Sequence, residues 1–193
     1  MFYRATMSLS ESYNNDTLLC NESDTMSTAT RNGFDPIIGR SPRILILGSM
    51  PGQRSLSEHR YYAHPRNTFW HVMSIIFQFD STLPYPERCQ QLIRHGIAVW
   101  DVLSQCQRPG SLDSAIQLNT AVPNRFTNFY QQHPTINLLA FNGQTAAKLY
   151  HRYRLPPILE QVTLPSTSPA YAAMSFQEKL ARWQQGLAQF RNF

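Results

Sequence analysis

Lysine is nearly missing from this chain: of its 17 basic residues only Lys148 and Lys179 are lysines. Cysteine is also scarce. Cys20, Cys89 and Cys106 are odd in number and far apart, which argues against a disulfide framework and against a four-thiolate iron–sulfur or zinc site. The six histidines show no H-x-x-x-H pair or other ligand spacing, so no metal site is expected. No run approaches the roughly 20 apolar residues of a membrane span, and the polar first 31 residues lack the basic-then-apolar order of a signal peptide. The expectation is a cytoplasmic protein without a membrane partner.

What is present is arginine. A formal net charge of +5, carried almost wholly by guanidinium groups, is compatible with a polyanionic partner, because neutralising phosphates releases counterions. Arginine forks onto phosphates and stacks on bases. A length of 193 residues with 42% hydrophobic content suits one compact domain. Residues 1–38 are rich in Ser, Thr, Asn and acidic side chains and are expected to form a loosely packed extension, leaving 39–193 as the single domain.

Within that domain, short apolar runs at 43–48, 97–103, 135–141 and 161–165 predict buried strands. Helical sequence separates them at 67–79, 86–96 and 144–153, and a further helix is expected over 175–190, with Phe176, Leu180, Trp183, Leu187 and Phe190 as its core stripe. This alternation predicts an α/β fold, a three-layer α/β/α sandwich with a short central parallel sheet. Functional residues then belong on loops at the carboxyl ends of the strands.

Those loops carry the unusual sequence. After the first strand comes Gly48-Ser-Met-Pro-Gly52, followed by Tyr61-Tyr-Ala-His-Pro-Arg-Asn-Thr-Phe-Trp70. Glycines let backbone N–H groups approach a ligand, and paired tyrosines followed by His, Arg and Asn offer stacking surface with several donors. After the last strand, Ser166-Thr-Ser-Pro-Ala170 is a rigid turn whose hydroxyls and N–H groups suit a phosphate.

Six motifs in order, namely these three with Trp100-Asp-Val-Leu103, Gly110-Ser-Leu-Asp-Ser114 and Phe141-Asn-Gly143, resemble the motif series of the hypoxanthine-DNA (deoxyinosine) glycosylases of the uracil-DNA glycosylase superfamily. The resemblance covers about residues 43–185 and implies a flipped nucleotide held at the strand ends, with cofactor-free hydrolysis of its N-glycosidic bond. It makes Tyr62 the platform for the flipped base and Asn67 the residue orienting the hydrolytic water. At a helix boundary Asn67 also suits an N-cap. Ser49 and Met50 are expected to face the base through backbone N–H groups, stabilising its departing negative charge. Met50 is a departure, because many superfamily members carry Asp or Asn there.

Asp101 is expected at the base edge, where an ionised carboxylate accepts the N1–H of hypoxanthine. Asn142 either touches the base or caps the following helix, and Asp113 orders its loop by accepting backbone N–H groups. Ser166, Thr167 and Ser168 are assigned to DNA phosphates with Arg66, and Arg54 and Arg60 share that rim. The expected partner is duplex DNA, with single-stranded DNA left open, and the expected state is a monomer. With no lysine in any of these motifs, the Schiff-base route of bifunctional glycosylases lacks an evident nucleophile. Two other classes remain: an esterase using Ser49, disfavoured because the last histidine is His151, and a damaged-DNA-binding module without catalysis. Within the glycosylase class, a uracil or mismatch-specific enzyme is the alternative.

Overall fold

The computed structural model describes residues 30–156 and 160–188. Four strands, β2 (Ile44–Gly48), β3 (Ile97–Asp101), β6 (Leu138–Asn142) and β7 (Glu160–Leu164), form an all-parallel sheet in the order β3-β2-β6-β7. Parallel strands covered on both faces read as continuous apolar runs, and Ile44, Leu45, Ile46 and Leu47 are all at most 1% exposed. A smaller antiparallel sheet joins β1 (Thr30–Asn32), β4 (Leu103–Gln107) and β5 (Val122–Pro123).

Side chains of a strand alternate between faces, so the register sorts the layers. Leu47, Trp100 and Phe141 share one row. Trp100 packs on Phe126 and Phe129 of α4 (Phe126–Gln132), and Phe141 on Tyr150 of α5 (Gln144–Arg152). The opposite face receives α2 (Phe69–Phe77), α3 (Tyr85–Arg94) and α6 (Phe176–Gly186). There α2 touches both α3 and α6, Phe69 meets Trp183 edge-on at 6.4 Å, and Gly186 lies against Val162 and Leu164. The three-layer expectation holds.

Three local expectations change. Residues 30–38, assigned by composition to the extension, are part of the folded unit: β1 pairs with β4, and Ile37 bridges Val99. So short a segment contributes almost no hydrophobic pattern of its own. A single-turn helix, α1 (Gln53–Glu58), stands inside what reads as loop. In α6 the buried stripe begins at Lys179, 4% exposed, whereas Phe176 and Leu180 are only partly buried; Phe190 and Cys20 lie outside the described residues. No helix among the described residues is long and apolar enough to cross a membrane, and they contain no group of three or more His, Cys, Asp and Glu side chains arranged to hold a metal.

Candidate active site

The carboxyl ends of β2, β3, β6 and β7 open into a cavity of about 1230 Å³. Its lining contains Ser49, Met50, Tyr62, Arg66, Asn67, Asp101, Asn142 and the turn Ser166–Ser168, so every site residue expected from the sequence comes together there. What those side chains are free to do differs greatly.

Asp101 ends β3, directly beside Gly48 at the end of β2. Glycine is required at 48, since a Cβ there would overlap Asp101 Oδ1 and lie 3.4 Å from the Tyr62 hydroxyl. Asp101 is 4% exposed, and its Oδ2 has no hydrogen-bond partner among the described residues. Burial, opposed by Arg108 and helped by the nearby Asp113 charge, pushes its carboxyl up to about 7. The shift favours the neutral acid over the ionised state expected from the sequence.

Tyr61 and Tyr62 are adjacent but divide their duties. Tyr61 is 3% exposed and points its hydroxyl at the Phe34 and Asp35 carbonyl oxygens. Tyr62 takes a left-handed backbone conformation, φ 56°, which turns its ring onto Phe69 at 3.9 Å between centroids and 24° between planes. With Phe69 behind it, Tyr62 borders the cavity as a braced ring. Its hydroxyl is buried and has no well-aligned hydrogen-bond partner among the described residues, the Asn142 amide being its nearest donor; burial, helped by the Asp101 charge and opposed by Asn142, raises its pKa far above the ordinary tyrosine range.

Asn67 stands at the start of α2, where its Oδ1 accepts the Phe69 N–H at 3.0 Å. That bond closes a turn just before the helix, whose N-cap residue Thr68 makes no side-chain bond; it satisfies the first N–H of α2 and fixes the Asn67 side chain, using one of the lone pairs on Oδ1. The remaining lone pair and the amide N–H groups are available on the cavity side. His64 holds this turn in place: its carbonyl accepts the Asn67 N–H at 2.8 Å and its Nδ1 accepts the Arg66 N–H at 3.1 Å.

The loop Gly48–Gly52 is clamped from below by Arg108, which is 1% exposed. Its guanidinium donates to the Met50 and Pro51 carbonyl oxygens and lies 3.6 Å from Asp113. Asp113 also accepts the Ser49 hydroxyl at 2.6 Å, and Ser111 Oγ accepts the Gln53 N–H at 3.0 Å. Asp113 thus orders its surroundings through a hydroxyl and a guanidinium rather than through the backbone N–H groups expected. Ser49, held by a carboxylate, has no histidine base on its hydroxyl, which removes the esterase arrangement. Arg108 was not evident in the sequence, because an Arg-Pro-Gly turn reads as an exposed loop.

The turn after β7 corrects two assignments. Thr167 is 0% exposed. Its N–H donates to Asn142 Oδ1 and its hydroxyl accepts from Asn142 Nδ2, both at 2.8 Å, while its carbonyl accepts the Thr68 N–H at 3.0 Å. No part of Thr167 remains for a DNA phosphate. Asn142 does not cap α5, whose N-cap is Gly143 without a side-chain bond; Thr167 engages its Oδ1 and one amide N–H, and the second N–H lies toward the Tyr62 hydroxyl at the cavity. Ser166 and Ser168 stay partly exposed on the cavity, their hydroxyls accepting the Ser168 and Ala170 N–H groups at 3.2 Å. On the rim, Arg66 is exposed and has no ion pair among the described residues, whereas Arg54 and Arg60 both approach Glu58. The far wall adds Tyr171 and Arg182, which no motif had indicated.

A family model for the uracil DNA glycosylase superfamily matches residues 36–189. The chain belongs to the uracil-DNA glycosylase superfamily. Among its relatives, a protein of Methanosarcina barkeri named hypoxanthine DNA glycosylase is 36% identical over 119 residues, covering 61% of this chain and 74% of that one. A Methanosarcina acetivorans protein of the same name is 30% identical over 155 residues, covering 80% and 96%. A solution NMR structure from Methanosarcina acetivorans, provisionally titled a uracil DNA glycosylase, superposes with a TM-score of 0.68 at 28% identity, covering 84% of this chain and 98% of that one. Membership in this superfamily brings DNA as the substrate.

Proposed function

We propose that the protein is a monofunctional DNA repair glycosylase that removes deaminated bases, mainly hypoxanthine, by hydrolysing the N-glycosidic bond and leaving an abasic site. The observation that carries this reading is one cavity at the strand ends bordered by Asn67, Tyr62 and Asp101. The two Methanosarcina relatives named hypoxanthine DNA glycosylase support the choice of base.

A base inside a duplex must be extruded first, at a cost of a few kcal/mol that is smaller at a mispair. The flipped base then stacks on the Tyr62 ring braced by Phe69, with an edge toward Asp101. Asn67, locked by its bond to the Phe69 N–H, orients a water beneath C1′. An amide is a weak base, so bond breaking runs ahead of attack and the sugar gains oxocarbenium character. The Ser49 and Met50 N–H groups, on a loop that Arg108 and Asp113 immobilise, face the base and its electron-rich acceptors as the glycosidic bond opens. Arg66, Ser166 and Ser168 contact the backbone of the flipped strand.

No lysine lines the cavity among the described residues, which supports a water-using enzyme over a Schiff-base one. The substrate we favour is duplex DNA acted on by a monomeric cytoplasmic protein. The test is alkaline strand cleavage of labelled duplexes carrying one deoxyinosine, deoxyuridine or deoxyadenosine. Cleavage at inosine above the other two is expected. Tight binding to the inosine duplex without an abasic site would mean a binding module instead, and a preference for uracil would move the substrate to the pyrimidine branch.

A further inference from the structure

Two carboxyl groups border the cavity, and they are in opposite states. Asp113 is occupied by the Ser49 hydroxyl and by Arg108. Asp101 has a buried oxygen with no partner, and its other oxygen stands over Gly48. The groups facing Asp101 are Arg108 and Asp113 from the segment after β3, and Tyr61 and Tyr62 from the loop before α2. None forms a hydrogen bond to the carboxyl. The Arg108 NH groups are committed to the Met50 and Pro51 carbonyl oxygens, and its Nε is itself buried and unpaired.

A buried carboxylate without a donor is costly, whereas the neutral acid is tolerated and carries a proton to give. Tyr62 supplies the direction. Its hydroxyl end lies beside Gly48 and Asp101, so a base stacked on the braced ring presents an edge to the Asp101 carboxyl. On a purine, the ring acceptor whose protonation draws electrons out of the glycosidic bond is N7.

Resting on the glycosylase reading above, we infer that Asp101 is a general acid for purine release, donating its proton to N7 of the flipped hypoxanthine as the C1′–N9 bond breaks. The bonding pair passes to the base, which leaves as a neutral molecule instead of an anion. Water adds its hydroxyl to C1′ and gives its proton to solvent, and the Asp101 carboxylate recovers a proton from solvent. The sum is DNA plus water to abasic DNA plus hypoxanthine. A pyrimidine has no N7, so the gain goes to purines only, which turns one buried side chain into a determinant of specificity. The role is the reverse of the hydrogen-bond acceptor expected from the sequence.

The experiment is single-turnover excision from duplexes carrying 2′-deoxyinosine or 7-deaza-2′-deoxyinosine, from pH 5.5 to 9, with wild-type protein and Asp101→Asn. For wild type on deoxyinosine the rate falls about tenfold per pH unit above roughly pH 7, where the acid form is lost. The 7-deaza substrate reacts about 100-fold slower or worse. In Asp101→Asn the alkaline fall disappears, deoxyinosine excision drops by a similar factor, and the two substrates converge to within about threefold, as coupled groups must. Equal excision of the two substrates by wild type overturns the proposal, and this arm needs no variant to fold. An unchanged pH profile in folded Asp101→Asn also overturns it. No excision of deoxyinosine by wild type at any pH would reject the glycosylase reading itself, a result distinct from either of these.

Discussion

The two walls of the cavity solve opposite problems. On the β6–β7 side, Asn142, Thr167 and Thr68 form a seam in which Thr167 uses every polar group it has, and 0% of it is exposed. On the β2–β3 side, Asp101 is 4% exposed and Tyr62 partly exposed, yet each carries a buried oxygen with no well-aligned hydrogen-bond partner among the described residues. Buried polar groups are almost always paired, and an unpaired one costs free energy. The first wall is a scaffold complete in itself, whereas the second is completed only by something entering the cavity. Both walls were assigned contact roles from their sequence alone; the satisfied one keeps them only at its partly exposed serines, Ser166 and Ser168, whereas Thr167 is spent on the scaffold.

The comparison can be broken in several places, beginning with the most costly. Asp101 has a folded pKa of about 7 against 3.8 for the free side chain. A raised carboxyl pKa means stability that is full below the unfolded value and lost as pH climbs to the folded one. Relative to Asp101→Asn, wild type should lose up to about 4 kcal/mol between pH 4 and pH 8. Denaturant unfolding of both proteins at those two pH values reads this directly, and a gap independent of pH would show that Asp101 is not strained by burial.

Arg108→Met removes the buried clamp on the Gly48–Gly52 loop and strands the Asp113 charge. The expected loss is about 3 kcal/mol, visible as a lower unfolding midpoint together with weakened excision. On the satisfied wall, Thr167→Val removes the hydroxyl that accepts from Asn142 Nδ2, leaving the backbone N–H bond in place, and should cost about 1–2 kcal/mol. Because Thr167 is enclosed, the dependence of DNA affinity on salt should stay at its wild-type slope. A reduced slope would return Thr167 to the DNA backbone. The smallest effect is at the rim: Arg66→Ala should leave stability unchanged and lower the slope of log affinity against log salt by about one.

The sheet was legible because strands buried on both faces leave uninterrupted apolar runs, and residues 43–48 and 97–101 show them plainly. The cavity was legible because glycine, paired aromatics and amides cluster at the ends of those runs. Orientation was not. Whether the hydroxyl of Thr167 faces out to a phosphate or in to Asn142 depends on how Gly143, at φ 102°, turns the chain past Ser166, and no residue type announces that. Arg108 stayed hidden for a related reason: a guanidinium in a proline–glycine turn is ordinarily solvated, and only the folded loop above it supplies the carbonyl oxygens that bury it. Tyr61 and Tyr62 read alike until the positive φ of Tyr62 separates a core ring from a cavity ring.

Asn67 is where scaffold and chemistry meet in one side chain, since it holds the first N–H of α2 and borders the cavity. The most direct measurement is single-turnover excision of hypoxanthine by Asn67→Ala, with the unfolding midpoint taken alongside. Loss of the bond to the Phe69 N–H should cost about 1 kcal/mol and leave inosine-DNA binding nearly intact, while the rate of bond cleavage falls about 100-fold or more because the water is no longer held in line. A stably folded Asn67→Ala that excises hypoxanthine at the wild-type rate would contradict the account, reducing Asn67 to a brace at the start of α2 and leaving the hydrolytic water to some other group.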